Sequence, residues 1–279
     1  MLRFRLKDWR AWRLLATALS YLVYGLGALL LWYGVYPLSC WWVAQAKRAE
    51  HARYLSHLAF RFFSAFLVAV GVWRYRIEGE ENLRRPGRII VANHPSFLDV
   101  VLLFARIENA VCIVKPSLIS LPLVGRPIRC CGHLPAVDAP TLVAEAVKVL
   151  QTGACLILFP QGTRTPPGSE VRFQRSVARI ALEAGSTVVP VYFAYRPLLL
   201  GKHQRWYHVP KLRPQVEVMV GEEMRPHEIA GGLPISIASR RLSRHIEAYF
   251  KALEKRHGFV RERTETTDHR GLRPGRSDS

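Results

Sequence analysis

The chain has no C-x-x-C pair, and its five cysteines (Cys40, Cys112, Cys130, Cys131 and Cys155) are odd in number. With no His at zinc-ligand spacing either, a disulfide scaffold and a zinc finger are both excluded. G-x-G-x-x-G, Walker and H-E-x-x-H sequences are absent, as is any internal repeat, which argues against the common nucleotide and zinc chemistries. Acid is scarce: 21 Asp and Glu face 40 Lys and Arg, a formal net charge of +19. Such an excess attracts something anionic, either nucleic acid or the head groups of an acidic membrane. Hydrophobic residues at 49% and charged residues at 22% of 279 are ordinary for a packed protein of one large or two small domains.

Charge is missing altogether from Leu14 to Ala46, and the stretch from Leu14 to Tyr36 runs uninterrupted up to Pro37. As a helix rising about 1.5 Å per residue it spans a hydrocarbon core of about 30 Å. Trp32, Tyr33, Tyr36, Trp41 and Trp42 gather at its far end, and Arg3, Arg5, Lys7, Arg10 and Arg13 precede it, as interfacial aromatics and a basic flank would. The run is longer than the apolar region of a signal peptide. A second apolar stretch, Leu55 to Trp73, carries His57 and Arg61, which suits an interface better than deep lipid. Either a hairpin returns the chain to its starting side, or the region dips into one leaflet. Lys47, Arg48 and Arg53 follow the first segment, so charge bias fixes no orientation, and a cytoplasmic catalytic domain is an expectation only. With the longest apolar run placing the protein in a membrane and no nucleic-acid motif present, no nucleic-acid partner is expected.

Residues 1–73 therefore read as N-terminal membrane-associated helices, residues 74–256 as an α/β domain, and residues 257–279, polar and apolar-poor, as a disordered tail. Within the domain, strands are predicted at Arg74–Ile77, Arg88–Ala92, Ala110–Val114, Cys155–Phe159, Thr187–Phe193 and Gln215–Val220. Helices are predicted at Phe97–Arg106, Pro140–Gln151, Gln174–Ala184 and Ser236–Glu254, with Gly153 and Gly185 at C-terminal caps. This alternation implies α/β architecture, a mostly parallel sheet flanked by helices, with ligands bound beyond the carboxyl ends of its strands.

Two loops at such ends carry chemistry. Asn93-His94-Pro95-Ser96-Phe97-Leu98-Asp99 follows one strand. Pro95 keeps His94 out of helical geometry, while Asp99, in the first turn of the next helix, can reach back to the imidazole as base plus orienter. The same spacing also fits a capping box in which Ser96 and Asp99 merely start the helix. Phe159-Pro160-Gln161-Gly162-Thr163-Arg164 follows another strand, and its guanidinium and adjacent backbone N–H groups suit a phosphate, or else form a turn with a solvated Arg. A third basic segment, from Arg196 to Arg213, has no acid and interleaves Arg and Lys with Leu198, Leu199, Leu200, Trp206 and Tyr207. It suits anionic lipid head groups or an acidic carrier protein.

Together these blocks resemble the glycerolipid acyltransferase family, the 1-acylglycerol-3-phosphate acyltransferases and their relatives. Asn93, His94 and Asp99 match its Asn-His-x4-Asp block. Phe159, Pro160, Gly162, Thr163 and Arg164 match its Phe-Pro-Glu-Gly-Thr-Arg block at five of six positions. Val188-Val189-Pro190-Val191 matches its hydrophobic-Pro-hydrophobic strand, and Ile77 to Leu83 resembles its lead-in. The resemblance implies His94 as general base oriented by Asp99, with substrate held by Asn93, Gln161, Gly162, Thr163, Arg164 and Pro190; Lys115 and Arg126, in the acid-free stretch between Glu108 and Asp138, are expected to help hold the head group. It implies a lysolipid acceptor, an acyl-CoA or acyl carrier protein thioester as co-substrate, and neither cofactor nor metal. Two positions depart from the pattern: Gln161 stands for the usual Glu, and Asp138 stands where an Arg thought to help bind the acceptor phosphate is expected. Asp138 reads locally as a helix N-cap. Its acidity leaves open an acceptor other than lysophosphatidate, such as a lyso-aminolipid, or a non-catalytic, membrane-tethered lipid-binding protein.

Overall fold

A computed structural model of the chain describes residues 9–165 and 176–257. Its center is a seven-stranded sheet of β1 (Arg74–Glu78), β2 (Ile89–Ala92), β3 (Ala110–Val114), β4 (Leu134–Pro135), β5 (Cys155–Leu158), β6 (Val188–Arg196) and β7 (Gln215–Val220), ordered β1-β7-β6-β2-β5-β3-β4. Every neighbouring pair is parallel except β6 and β7. The mostly parallel expectation holds, and the exception has a cause: residues 197–214, between β6 and β7, contain no helix to carry a crossover, so the chain turns back beside the strand it left.

Alternate residues of the central strands enter two cores. Ile89, Val91, Tyr192 and Ala194 face α6 (Ala139–Gln151), α7 (Ser176–Ala184) and α9 (Ile235–His257). Ile90, Ala92, Phe193 and Tyr195 face α4 (Leu98–Arg106) on the other side. The predicted helices recur within one to three residues. The first residues proposed for α7 and the tail from residue 258 onward lie outside the described residues.

At the N-terminus, α1 (Arg10–Leu30) continues through a π-helical stretch, Leu31–Val35, into α2 (Tyr36–Ser39). The widened turn lies just ahead of Pro37, which has no N–H to donate back and whose ring crowds the carbonyl four residues earlier. The return helix α3 (Arg48–Val70) ends on Gly71, whose φ of 89° needs a glycine. The two helices pack as an antiparallel pair. Trp12 Nε1 donates to Val70 O at 2.8 Å, and Tyr24 lies against Phe60 and Phe63.

The α1 helix is turned inside out relative to a soluble surface helix. It buries Ala16, Thr17 and Ser20 and exposes Leu14, Leu15, Leu19, Leu22, Leu26, Leu29 and Leu30. Arg10–Trp42 is long and apolar enough to cross a bilayer by length and composition. The basic flank needs one correction. Arg13 is buried, and its Nη2 donates to Pro210 O and Lys211 O at 2.7 and 2.6 Å, tying α1 to the β6–β7 connection. Packing also crosses residue 73, since Ala16, Leu67 and Trp73 share one core with Val101, Ile157 and Phe193.

Between β3 and β4 lies α5 (Pro122–Cys130), a helix hidden from sequence by Pro122, Gly125 and Pro127. His133, just after it, accepts the Cys112 N–H at Nδ1 (3.3 Å) and sets its ring edge-on to Phe104. Burial, helped by the Arg53 charge, lowers its pKa from the ordinary 6.5 to about 4. Unfolded chains therefore take up this proton below about pH 6.5 while the folded chain resists it until about pH 4. The predicted consequence is a loss on the order of 3 kcal/mol as pH falls through that window. Urea midpoints measured across it should show the slope, and His133→Gln, which keeps an acceptor, should flatten it.

Candidate active site

The parallel register sets Val91 of β2 beside Leu158 of β5, and Ile157 of β5 beside Cys112 of β3. The segments that follow β2 and β5 consequently emerge at one edge of the sheet. His94 leaves β2 two residues after its end, held out of the helix by Pro95, and Asp99 stands in the first turn of α4.

His94 Nδ1 lies 3.0 Å from Asp99 Oδ2, with Asp99 fully buried and the His94 side chain 14% exposed. The same Oδ2 accepts the Ser96 N–H at 2.8 Å, and Oδ1 accepts the Tyr195 hydroxyl at 2.5 Å. One Asp99 oxygen thus both closes the helix turn and meets the imidazole. Ser96 Oγ accepts the Leu98 N–H and donates to Leu199 O. Burial pushes the Asp99 carboxyl up, opposed by the hydrogen bond and charge of His94, the Tyr195 hydroxyl and the Ser96 N–H. Burial beside this carboxylate raises the Tyr195 phenol well above 10, so it stays a donor. With Nδ1–H committed to Asp99, His94 Nε2 is the basic nitrogen, and it has no hydrogen-bond partner among the described residues.

Tyr195 was invisible to the motif reading, which ended the strand at Phe193. The signal was present in the alternation Val189, Val191, Phe193, Tyr195, all on one face of β6. Tyr195→Phe removes one donor to a buried carboxylate. It is predicted to lower kcat about tenfold at unchanged KM, measured by steady-state acyl transfer.

The second loop is laced to the first. Gln161 Oε1 accepts the His94 N–H at 3.2 Å, Thr165 N–H donates to His94 O at 2.9 Å, and the Phe159 ring stacks on the imidazole at 4.2 Å. Gly162 makes the turn, with φ of 66° and its N–H on Phe159 O. Thr163 lends its carbonyl to the Thr165 hydroxyl. Arg164 Nη1 donates to Leu200 O and Gly201 O at 3.0 and 3.4 Å, while Nε and Nη2 have no acceptor among the described residues. Leu200 holds a left-handed φ of 55°, and its carbonyl also takes the Phe97 N–H. Both loops therefore hook the β6–β7 connection over the site.

Of the other proposed substrate ligands, two have side chains committed to the sheet. Asn93 is corrected to a structural clamp: Nδ2 donates to Phe193 O at 3.0 Å and Oδ1 accepts the Phe193 N–H at 2.7 Å, extending the β2–β6 ladder. Pro190 is corrected as well. It sits beside Val91 within the sheet, two residues from Tyr192 on the α9 face and opposite in direction to Tyr195, so it cannot reach His94. Lys115 is exposed after β3, and the Arg126 guanidinium lies 4.7 Å over the Tyr33 ring. Neither makes a hydrogen bond or ion pair to the His94 or Arg164 side chains. Asp138 caps α6, its Oδ1 accepting the Thr141 N–H at 3.0 Å. Asn93→Ala is predicted to destabilise the protein by about 2–3 kcal/mol, because two buried backbone groups lose their partners. Thermal melts check this, with KM for acceptor and donor unchanged in the folded fraction.

An acceptor nitrogen held by a buried carboxylate, beside a guanidinium with an open side, now stands at the end of an α/β sheet. A sequence profile described as Acyltransferase matches residues 74–194, the stretch containing both loops. Residues 74–194 thus carry the pattern of an acyltransferase domain, and the findings support the glycerolipid acyltransferase family. Among similar family proteins, a 1-acyl-sn-glycerol-3-phosphate acyltransferase of Pseudomonas aeruginosa is 28% identical over 130 residues, 44% of this chain and 50% of that one. One from Chlamydomonas reinhardtii is 30% identical over 171 residues, 58% and 50% of the two chains. The chain thus spans about half the length of these curated relatives. The crystal structure of the 1-acyl-sn-glycerophosphate acyltransferase from Thermotoga maritima superposes with a TM-score of 0.64 at 23% identity, covering 90% of this chain and 98% of that one. It supports the family fold, including the helices before β1.

Proposed function

We propose that the protein is a membrane-bound O-acyltransferase that moves a fatty acyl group from a thioester, acyl-CoA or acyl carrier protein, to the free hydroxyl of a lysophospholipid such as 1-acylglycerol-3-phosphate. The observation that carries this reading is the His94–Asp99–Tyr195 chain, which leaves one basic nitrogen open at the sheet edge. Nε2 takes the proton of the acceptor hydroxyl as its oxygen bonds to the thioester carbonyl carbon. The tetrahedral intermediate collapses, the carbon–sulfur bond breaks, and the imidazolium returns the proton to the departing thiolate. Asp99 fixes the tautomer and stabilises the imidazolium. The unpaired side of the Arg164 guanidinium supplies two donors for a head-group phosphate.

The leucine-covered face of α1 supports placement in a bilayer, with the catalytic domain on the cytoplasmic side where acyl thioesters are made. Asp138 favours a second reading of the acceptor alone: an acid stands where a phosphate-binding Arg is expected, and a non-phosphate lyso head group would not be repelled. Mass spectrometry of lipids formed by membranes containing the protein, given a panel of lyso-acceptors, separates the two. Lysophosphatidate is expected to be acylated fastest. Preference for a lyso-aminolipid transfers the assignment to the second reading, and no acylation of any acceptor rejects both.

A further inference from the structure

At the other end of α4, about 10 Å of helix from Asp99, a cavity of about 420 Å³ opens between α3, β1 and α4. Its walls are Leu58, Arg61, Phe62, Ser64, Tyr75 and Arg106. We propose that this cavity is a second lipid site, separate from the reaction centre, which holds the phosphate of an anionic bilayer phospholipid between Arg61 and Arg106 with a chain lying on Leu58 and Phe62.

The charge is arranged for it. Arg106 Nη2 donates to the Tyr75 hydroxyl at 2.7 Å, and its guanidinium lies 5.5 Å over the Tyr75 ring, so the group is fixed in place. Its one carboxylate neighbour, Glu80, is 3.6 Å from Nη1. Arg106 Nε is buried with no acceptor among the described residues, and Arg61 is exposed and makes no ion pair there. Ser64 donates to Tyr75 OH at 3.4 Å, adding a second hydroxyl. Two guanidinium groups against one carboxylate leave the groove positive, and planar forks of this kind bind phosphate oxygens in pairs.

The apolar wall selects a lipid over free phosphate. Tyr54, Leu58 and Phe62, spaced by four along α3, are 42%, 40% and 66% exposed, a stripe that gains by burial against an acyl chain and that free phosphate would leave in water. The same helix packs antiparallel on α1, whose outward leucines are likewise exposed. The site does not depend on the proposed catalysis, since none of its residues touches His94, Asp99 or Arg164.

The test is native mass spectrometry of the full chain, purified and delipidated in neutral detergent, then titrated with dioleoyl-phosphatidylglycerol or dioleoyl-phosphatidylcholine. One phosphatidylglycerol per chain should be retained about tenfold more tightly than phosphatidylcholine. Arg61→Ala/Arg106→Ala should abolish that preference, and Arg61→Ala alone, at an exposed position, should reduce it several-fold if the double variant does not fold. Arg240→Ala/Arg244→Ala, which removes the same charge from α9, should leave it intact. Equal loss in the α9 variant, no loss in Arg61→Ala, or displacement of the lipid by millimolar glycerol phosphate would each overturn the proposal. Because lipid retention is read without turnover, an inactive enzyme would leave this result standing.

Discussion

Replacing His94 with Ala is expected to cut acyl transfer by on the order of 10²–10⁴, the usual worth of a positioned general base. The hydroxyl of a lysolipid is a poor nucleophile until its proton leaves, and Nε2 is the one basic nitrogen the two loops present at this edge. The backbone of His94 is held independently of its ring, by Gln161 to its N–H and by Thr165 to its carbonyl. Truncation therefore removes the base and the Phe159 stacking without dismantling the loop. Thiol release from an acyl thioester, followed in wild type and variant at equal folded concentration, measures the effect. A wild type no faster than the variant would instead identify a non-catalytic lipid-binding protein.

Asp99→Asn separates activity from stability. Burial raises the Asp99 carboxyl in the folded chain above its unfolded value of about 3.9. The folded state then holds the proton more tightly than the unfolded one. Its relative stability is greatest below the unfolded value and declines as pH rises through the folded one, so at neutral pH the ionised group is a net burden on the fold. The amide carries no such burden. Transfer should drop by on the order of 10²–10⁴, because no negative charge then stabilises the imidazolium. The melting temperature at neutral pH should stay at or above that of wild type, with the difference shifting toward wild type in acid. Calorimetry and thiol release on the same samples give both halves.

How much of this was legible in the sequence depends on range. Ala110–Val114 and Gln215–Val220 recur at the boundaries predicted, and α6 buries Val143, Ala146 and Leu150 as its 3.6-residue period requires. Local patterns of apolar side chains decide such elements. Helix α5 failed that test because two prolines and a glycine mask it, and β4, two residues long, has no period to read. The antiparallel β6–β7 pair depends on a connection whose path no local rule sets. At the site, spacing offered the His94–Asp99 pair, and the resemblance to the acyltransferase blocks singled out that pair and the Phe159–Arg164 loop. Tyr195 was not, because its partner is 96 residues away and only the strand register joins them. Asn93 and Pro190 misled for the opposite reason: they sit inside recognisable blocks, yet their side chains serve the sheet.

A structure of the chain with bound lysophosphatidate tests the central claim most directly. The account predicts the acceptor hydroxyl oxygen within about 3.2 Å of His94 Nε2, with the phosphate on the open side of Arg164. A hydroxyl seated away from that nitrogen, facing another basic side chain with His94 still bonded to Asp99, would contradict it.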